Sequence, residues 1–344
     1  MANLRDKFRG CLLGALVGDV AGAVVEAESP GYIRSTFRSV DEILAKSTVE
    51  EFTGPDWRVG RFTDDTQMML CVAEWLLDDE PHLPEHLLAR FADAYEPWRR
   101  YGSGTAAILR LYPAHEAEWR ELSTAMFPMG SYGNGGAMRV APVGLAYFND
   151  PRQARSVAIA SSRPTHSHPL AYQGAVLQSL AVAIAAASSN FNADSFLRPL
   201  RASLQYFSDL MQDTSRFTEP LDHIESGLSH GKTCEQMSLK LGTGIDVFEA
   251  APMALYCFLR HPESYEQVIH EALFIGGDTD TIAAMAGAIS GAFLGAAAIP
   301  ARWLAAVREE KYSVAAIEGL ADRLFEKYAI NHQVGDHDSR DRSC

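Results

Sequence analysis

Two apolar stretches of the chain carry glycine at every fourth position: Gly10, Gly14, Gly18 and Gly22 near one end, and Gly287, Gly291 and Gly295 near the other. A spacing of four lines the glycines up on one face of a helix. Each glycine inside a helix costs roughly 1 kcal/mol relative to alanine, so seams of bare backbone this long need a neighbour that packs closer than any side chain would allow. The spacing predicts helices over both stretches, in mutual or near-mutual contact. Such contact would draw Asp19, Asp64, Asp65, Asp278 and Asp280 toward one place.

Each stretch also imitates something else. Residues 10–27, GCLLGALVGDVAGAVVEA, follow a basic start and end on small residues as a signal peptide does, but Asp19 interrupts the apolar run and Asp6 stands in its lead-in. Residues 282–300 have the small-residue spacing of membrane helix pairs, yet they are mostly Ala and Gly with two aspartates at the entrance. Buried helices of a soluble protein are expected for both.

The remainder also reads as helix. Apolar residues recur at helical spacing after Asp65 (Met68, Val72, Trp75, Leu76), after Asp280 (Ile282, Met285, Ile289, Phe293), and over 83–101, 170–187, 246–260, 264–275 and 313–329. Alternating strand patterns bounded by hairpin turns are lacking. An all-α fold is expected, with residues 1–330 as one domain and 331–344 as a loose tail. With 47% hydrophobic and 22% charged residues among 344, the composition is that of an ordinary globular protein rather than a disordered one. The net charge of −14 argues against direct nucleic-acid binding, which needs clustered Lys and Arg. Any polyanion would have to be met through metal ions or backbone N–H groups. Cys11, Cys71, Cys234, Cys257 and Cys344 are scattered, with no close pair at metal-ligand spacing, and read as reduced thiols of a cytoplasmic protein.

Two short segments carry the chemistry. GRFTDDTQMML, residues 60–70, and GGDTDTIAAMAGAISGA, residues 276–292, each crowd Thr and Asp at a helix start. Capping is one reading, since side-chain oxygens there accept from orphan N–H groups and acidic groups suit the helix dipole. A cap needs only one oxygen, however, and further carboxylates within a turn repel each other unless a cation sits among them. Asp64, Asp65, Asp278 and Asp280 with Thr63, Thr66, Thr279 and Thr281 form an oxygen-only donor set, suited to magnesium, calcium or manganese rather than zinc. Neither segment has the spacing of an EF-hand loop, and a strand-borne Asp-x-Asp lacks a convincing strand before Asp278. The residues alone leave caps and a shared metal site both open.

Between them lies GSYGNGGAMR, residues 130–139, with four glycines around Ser131, Tyr132 and Asn134. Such a loop can present backbone N–H groups to phosphate oxygens, or it can be an ordinary glycine turn. THSHPLAYQGA, residues 165–175, sets His166 and His168 at a helix start, where they can bind a ligand, cap the helix or simply be satisfied within the fold.

Taken in order, GCLLGALVGDVAGAVVEA, RFTDDTQM, GSYGNGGAMR, RPTHSHPLAYQGAVLQ, LGTGIDVFEAAPMALYCFLR and GGDTDTIAAMAGAISGA resemble the ADP-ribosylglycohydrolase family, and within it the ADP-ribosylhydrolase 3 subfamily, over nearly the whole chain. The resemblance implies an orthogonal bundle of helices with a cleft that binds ADP-ribose over two magnesium ions. By motif position it implies Thr63, Asp64, Asp65, Asp278, Asp280 and Thr281 as metal ligands and Glu26 as the catalytic carboxylate. Glu28 is its neighbour and competitor; on a continuous helix it would stand about 200° around from Glu26. Gly130, Ser131, Tyr132, Gly133 and Asn134 would cradle the diphosphate, and His166 would lie near the adenosine-side ribose. Two departures stand out: MFPM precedes the glycine loop where the subfamily has a phenylalanine and a lysine, and Thr243 replaces an expected asparagine. They bear on adenine stacking by Phe127 and on the adenine-end contacts. The implied activity is hydrolysis of O-glycosidic ADP-ribose linkages, in ADP-ribosyl-serine proteins, poly(ADP-ribose) or O-acetyl-ADP-ribose, by a monomer that engages neither membrane nor nucleic acid. The family also holds enzymes that cleave N-glycosidic ADP-ribosyl-arginine, and non-catalytic members that would act as ADP-ribose-binding proteins.

Overall fold

The computed structural model describes residues 2–46, 60–79, 81–114, 118–210, 212–309 and 311–330. Its centre is the pair of helices Leu4–Gly22 and Thr279–Leu294, which run antiparallel against each other. The glycines interlock in register. A Cβ on Gly14 would stand 2.3 Å from the Gly287 carbonyl oxygen, one on Gly291 would stand 1.9 Å from that of Gly10, and one on Gly22 would stand 2.3 Å from Asp280 Cα. At such distances no side chain fits, and that accounts for the glycines. Replacing Gly287 by Val is expected to lower stability by about 3 kcal/mol or more, the upper end of overpacking costs, because the obstructing atoms are backbone. Gly31, in helix Pro30–Thr36 with open space around its Cβ position, is the control: Gly31→Ala should stabilise by up to about 1 kcal/mol. Urea denaturation of both variants checks the contrast.

Helices Pro169–Ala187, Val247–Arg260 and Tyr265–Phe274 pack on Thr279–Leu294, and Val314–Phe325 packs on Leu4–Gly22. The fold is all-α. Among the described residues there is no strand, only an isolated bridge between Gly133 and Asp246. Buried apolar residues form one core from Phe8 to Tyr328, in which Phe191, Phe196, Phe258 and Phe293 meet edge to face or tilted. Leu4–Gly22 is buried from Gly10 onward, as expected of a core helix. Helix Pro169–Ala187 is long and apolar enough to cross a membrane, and 78% of its most apolar stretch is buried inside the protein. Cys11, Cys71, Cys234 and Cys257 are free and buried; Cys344 and the expected tail 331–344 lie outside the described residues.

One helix expectation fails in an informative way. The periodic run over 83–101 is helix only from Pro84 to Ala94, followed by a short 3₁₀ turn, Pro97–Arg99. Pro97 has no N–H for a helical bond and pushes Glu96 to extended angles (φ −120°, ψ 103°). Arg100 then takes a left-handed φ of 62°, so consecutive arginines face different ways. The guanidinium of Arg99 is buried, donating to the Phe62 carbonyl at 2.7 Å and to Glu309 at 2.9 Å. It thereby holds the segment leading into Thr63, whereas Arg100 reaches Glu26.

Candidate active site

The glycine-mediated contact decides where the site forms. Since Gly22 ends its helix against Asp280, the chain leaving the first helix runs beside the chain entering the second. Thr279 Oγ1 donates to the Gly22 carbonyl at 2.9 Å, the Ala27 N–H donates to the Gly277 carbonyl at 2.8 Å, and the Gly277 N–H donates to the Glu28 carbonyl at 3.3 Å. Gly277 has φ 83° and its Cβ position is only 2.3 Å from the Thr243 carbonyl oxygen, so only glycine fits this turn. Thr243 therefore packs under the turn, accepting the Asp278 N–H at 2.8 Å. Residues 23–27 are turns, not helix, and the chain reverses at Ala27 (φ 63°). The expected separation of Glu26 and Glu28 around a helix thus gives way to a reversal. Glu26 lines the cleft, while Glu28 lends its carbonyl to Gly277.

The third element, helix Asp64–Leu77, is capped from outside. Asp19, fully buried, accepts the N–H groups of Thr63 at 2.9 Å and of Thr66 at 2.9 Å, and Thr63 Oγ1 accepts the Asp65 N–H at 3.2 Å. Asp64 and Asp65 are not needed for that task. At the other start Asp278 occupies the cap position but makes no capping bond; its carboxylate instead accepts from Asn134 Nδ2. Asp280 accepts the Thr281 N–H next to it, at 2.9 Å, and its carboxyl meets that of Asp278. Capping does not explain these four carboxylates.

They form a repulsive cluster. Glu26, Asp278 and Asp280 each bring a carboxylate oxygen within 4.8 Å of the others. Thr281 Oγ1 donates to Asp65 Oδ2 at 3.4 Å, while Asp65 Oδ1 is buried with no partner. Burial pushes Asp64, Asp65 and Asp280 well above the usual carboxylate range, and the neighbouring negative charges push them further. Burial also raises Asp278 and Glu26. Arg100 is the one cation among the described residues that line the cleft; it donates to Glu26 Oε2 at 2.6 Å and to the Ala23 carbonyl at 2.8 Å. An oxygen-only cluster with an orphaned buried oxygen and too little positive charge fits a hard divalent cation.

The glycine loop borders the same cleft. Ser131, Gly133 and Asn134 line it, whereas Gly130 and Tyr132 do not. A Cβ on Gly130 would meet His168 N at 2.5 Å, and the Tyr132 ring rests on His168 and Phe248. The N–H groups of Gly130, Gly133 and Asn134 are engaged within the fold by Phe127, Ser131 and Ile245. Those of Ser131, Tyr132, Gly135 and Gly136 make no hydrogen bond among the described residues. His168 caps its helix through Nδ1, which accepts the Leu170 N–H at 3.1 Å. His166 differs. Arg139 Nη1 donates to Thr165 Oγ1 at 2.9 Å, and that hydroxyl lies 2.8 Å from His166 Nδ1, which leaves Nε2 on the Gly133 side. Burial, then the Arg139 charge, lowers the His166 pKa to about 3, and the ring is neutral at physiological pH. Sequence reasoning missed Arg100, Arg139 and Ile245. Only Pro97 hinted at the first, and no local signal marks the other two.

Comparison with known proteins identifies the family. The ADP-ribosylglycohydrolase family model matches residues 1–333. The chain is 35% identical over 333 residues to the ADP-ribosylhydrolase ARH3 of Bos taurus, covering 88% of each, and 34% identical to that of Homo sapiens, covering 88% of this chain and 89% of the relative. A solved structure described as an ADP-ribosylglycohydrolase-related protein complex superposes with a TM-score of 0.64 at 26% identity, covering 94% of this chain and 98% of that one. Matches of this extent leave no segment of the helical framework or the cleft outside the resemblance, and the chain belongs to the ADP-ribosylglycohydrolase family.

Proposed function

We propose that the protein is a magnesium-dependent hydrolase that releases ADP-ribose from O-glycosidic linkages. The observation that carries this reading is Glu26, a carboxyl with a raised pKa at the edge of a carboxylate cluster that capping does not account for. Thr63, Asp64, Asp65, Asp278, Asp280 and Thr281 would hold two magnesium ions, which supply positive charge and a template for the ribose hydroxyls. Cleavage of the anomeric C–O bond passes through an oxocarbenium-like state. Glu26 takes a proton from the attacking water as its oxygen bonds to the anomeric carbon and the C–O bond breaks; the departing oxygen takes a proton from bulk water, and Glu26 returns its own to solvent. Arg100 orients the Glu26 carboxyl without leaving the Ala23 carbonyl. The unengaged N–H groups of Ser131 and Gly135 receive the diphosphate, with Gly133 and Asn134 as the wall and Gly130 and Tyr132 supporting the loop from behind. The neutral His166 offers Nε2–H to a ribose oxygen, and the exposed ring of Phe127 with Ile245 offers the adenine an apolar bed.

The preference for O-linked substrates is supported by similarity to proteins named ADP-ribosylhydrolase ARH3. The expected result with magnesium is release of free ADP-ribose from an ADP-ribosyl-serine peptide and none from an ADP-ribosyl-arginine peptide, followed by mass spectrometry. Cleavage of the arginine peptide alone would transfer the chain to the N-glycosidic group, and tight ADP-ribose binding with no turnover of either peptide would make it a binding protein.

A further inference from the structure

Outside the acidic cleft, three helices bring together a second donor set of a different chemical kind. Cys234 opens helix Cys234–Leu241 under a capping box made by Thr233 and Gln236. His261 caps the end of Val247–Arg260, one helical turn after Cys257, and Glu271 lies in Tyr265–Phe274. One ligand atom each of Cys234, His261 and Glu271 lies within 4.8 Å of the other two. The Cys257 thiol adjoins that of Cys234, and both are reduced and fully buried. The side chains of His261 and Glu271 keep 23% and 28% exposure, which leaves an entry path.

The geometry points to a zinc-class transition-metal site formed by Cys234, His261 and Glu271, with a water at the fourth position. His261 Nε2 and Glu271 Oε1 are 3.6 Å apart, too far for a hydrogen bond. That separation lies just above the edge of about 3.3–3.5 Å expected of a tetrahedron with metal–nitrogen and metal–oxygen arms of about 2.0–2.2 Å. A thiolate, an imidazole and a carboxylate make a soft-to-borderline set, unlike the all-oxygen cluster of the cleft. Charge also balances: one thiolate and one carboxylate neutralise a divalent ion while His261 stays neutral. Binding exchanges the Cys234 S–H proton for the metal, forming an S–metal bond and releasing one proton to solvent, with no change of oxidation state. The bound ion would pin the ends of three helices, the last of which leads through Ile275–Gly277 directly into Asp278.

Cobalt(II) is the probe, added to reduced protein freed of metal by chelation. Oxygen ligands give no thiolate-to-cobalt charge-transfer absorption, so the acidic cleft stays silent in this readout. The expected result is a near-ultraviolet charge-transfer band that saturates at one equivalent per chain and is absent in Cys234→Ser. Glu271→Gln should weaken binding by more than the roughly tenfold that loss of an outer-shell partner costs. No band at saturating cobalt, or a band unchanged in Cys234→Ser, would overturn the assignment. Should Cys234→Ser fail to fold, His261→Ala decides in the same way, through a weakened or an unchanged band.

Discussion

Glu26→Gln is expected to lower the single-turnover hydrolysis of an ADP-ribosyl-serine peptide by about 10² to 10⁴, the usual contribution of general acid–base catalysis, with ADP-ribose affinity within roughly tenfold of wild type. The glutamine still accepts from Arg100 and leaves the carboxylates opposite it in place, so binding has little reason to change. What disappears is a cleft carboxyl that pairs with a cation, at 2.6 Å from Arg100, as well as facing the aspartates. Glu28→Gln should turn over normally, because Glu28 serves the site through its carbonyl. Burial raises the Glu26 pKa above its ordinary 4.5, so a base at this position becomes protonated, and the rate falls, as pH drops through a value above 4.5. Loss of turnover in Glu28→Gln with normal turnover in Glu26→Gln would mean that the carboxylate is misassigned.

Removal of magnesium should abolish turnover and its return should restore it; full activity in a verified metal-free sample would sink the metal requirement. Asp280→Asn should abolish turnover as well, and it separates a ligand from a structural carboxylate by the sign of a stability change. A structural acidic residue at a helix start costs about 1 kcal/mol to lose. Asp280 is buried among Glu26, Asp278 and Asp65, which raise its pKa after burial itself has done so. Its folded-state pKa lies above the unfolded value of 3.8, so the native state holds the proton more tightly and loses stability as pH rises above 3.8 toward the raised value. At neutral pH the metal-free protein should therefore become more stable on Asp280→Asn, while the gain on adding magnesium, about 2.7 kcal/mol at a hundredfold excess over Kd, should shrink or vanish. Thermal unfolding with and without magnesium measures both quantities. A lower melting temperature in the metal-free variant, together with normal turnover, would restore the capping explanation.

The parts of this protein that were legible in the chain are those that local periodicity encodes. Glycine at every fourth residue marks a helix face with nothing on it, and such a face is stable only against an equally bare one, so the pairing of Leu4–Gly22 with Thr279–Leu294 was already implied. The Asp and Thr clusters at residues 63–66 and 278–281 were visible as helix starts with more carboxylates than capping requires. Reading 83–101 as one helix failed because apolar periodicity outweighed Pro97 in that judgement, and the left-handed residue that follows the proline is what brings Arg100 to Glu26. Tertiary structure alone decided that Asp19 caps a helix it does not precede, leaving Asp64 and Asp65 free. It also decided that Thr165 sets its hydroxyl between Arg139 and His166, that Ser131, Gly133 and Asn134 line the cleft while Gly130 and Tyr132 do not, and that Cys234 meets His261 and Glu271. These side chains lie on separate elements. Their meeting depends on how whole helices cross and where turns reverse the chain, and those are properties of the packed core rather than of any window of sequence.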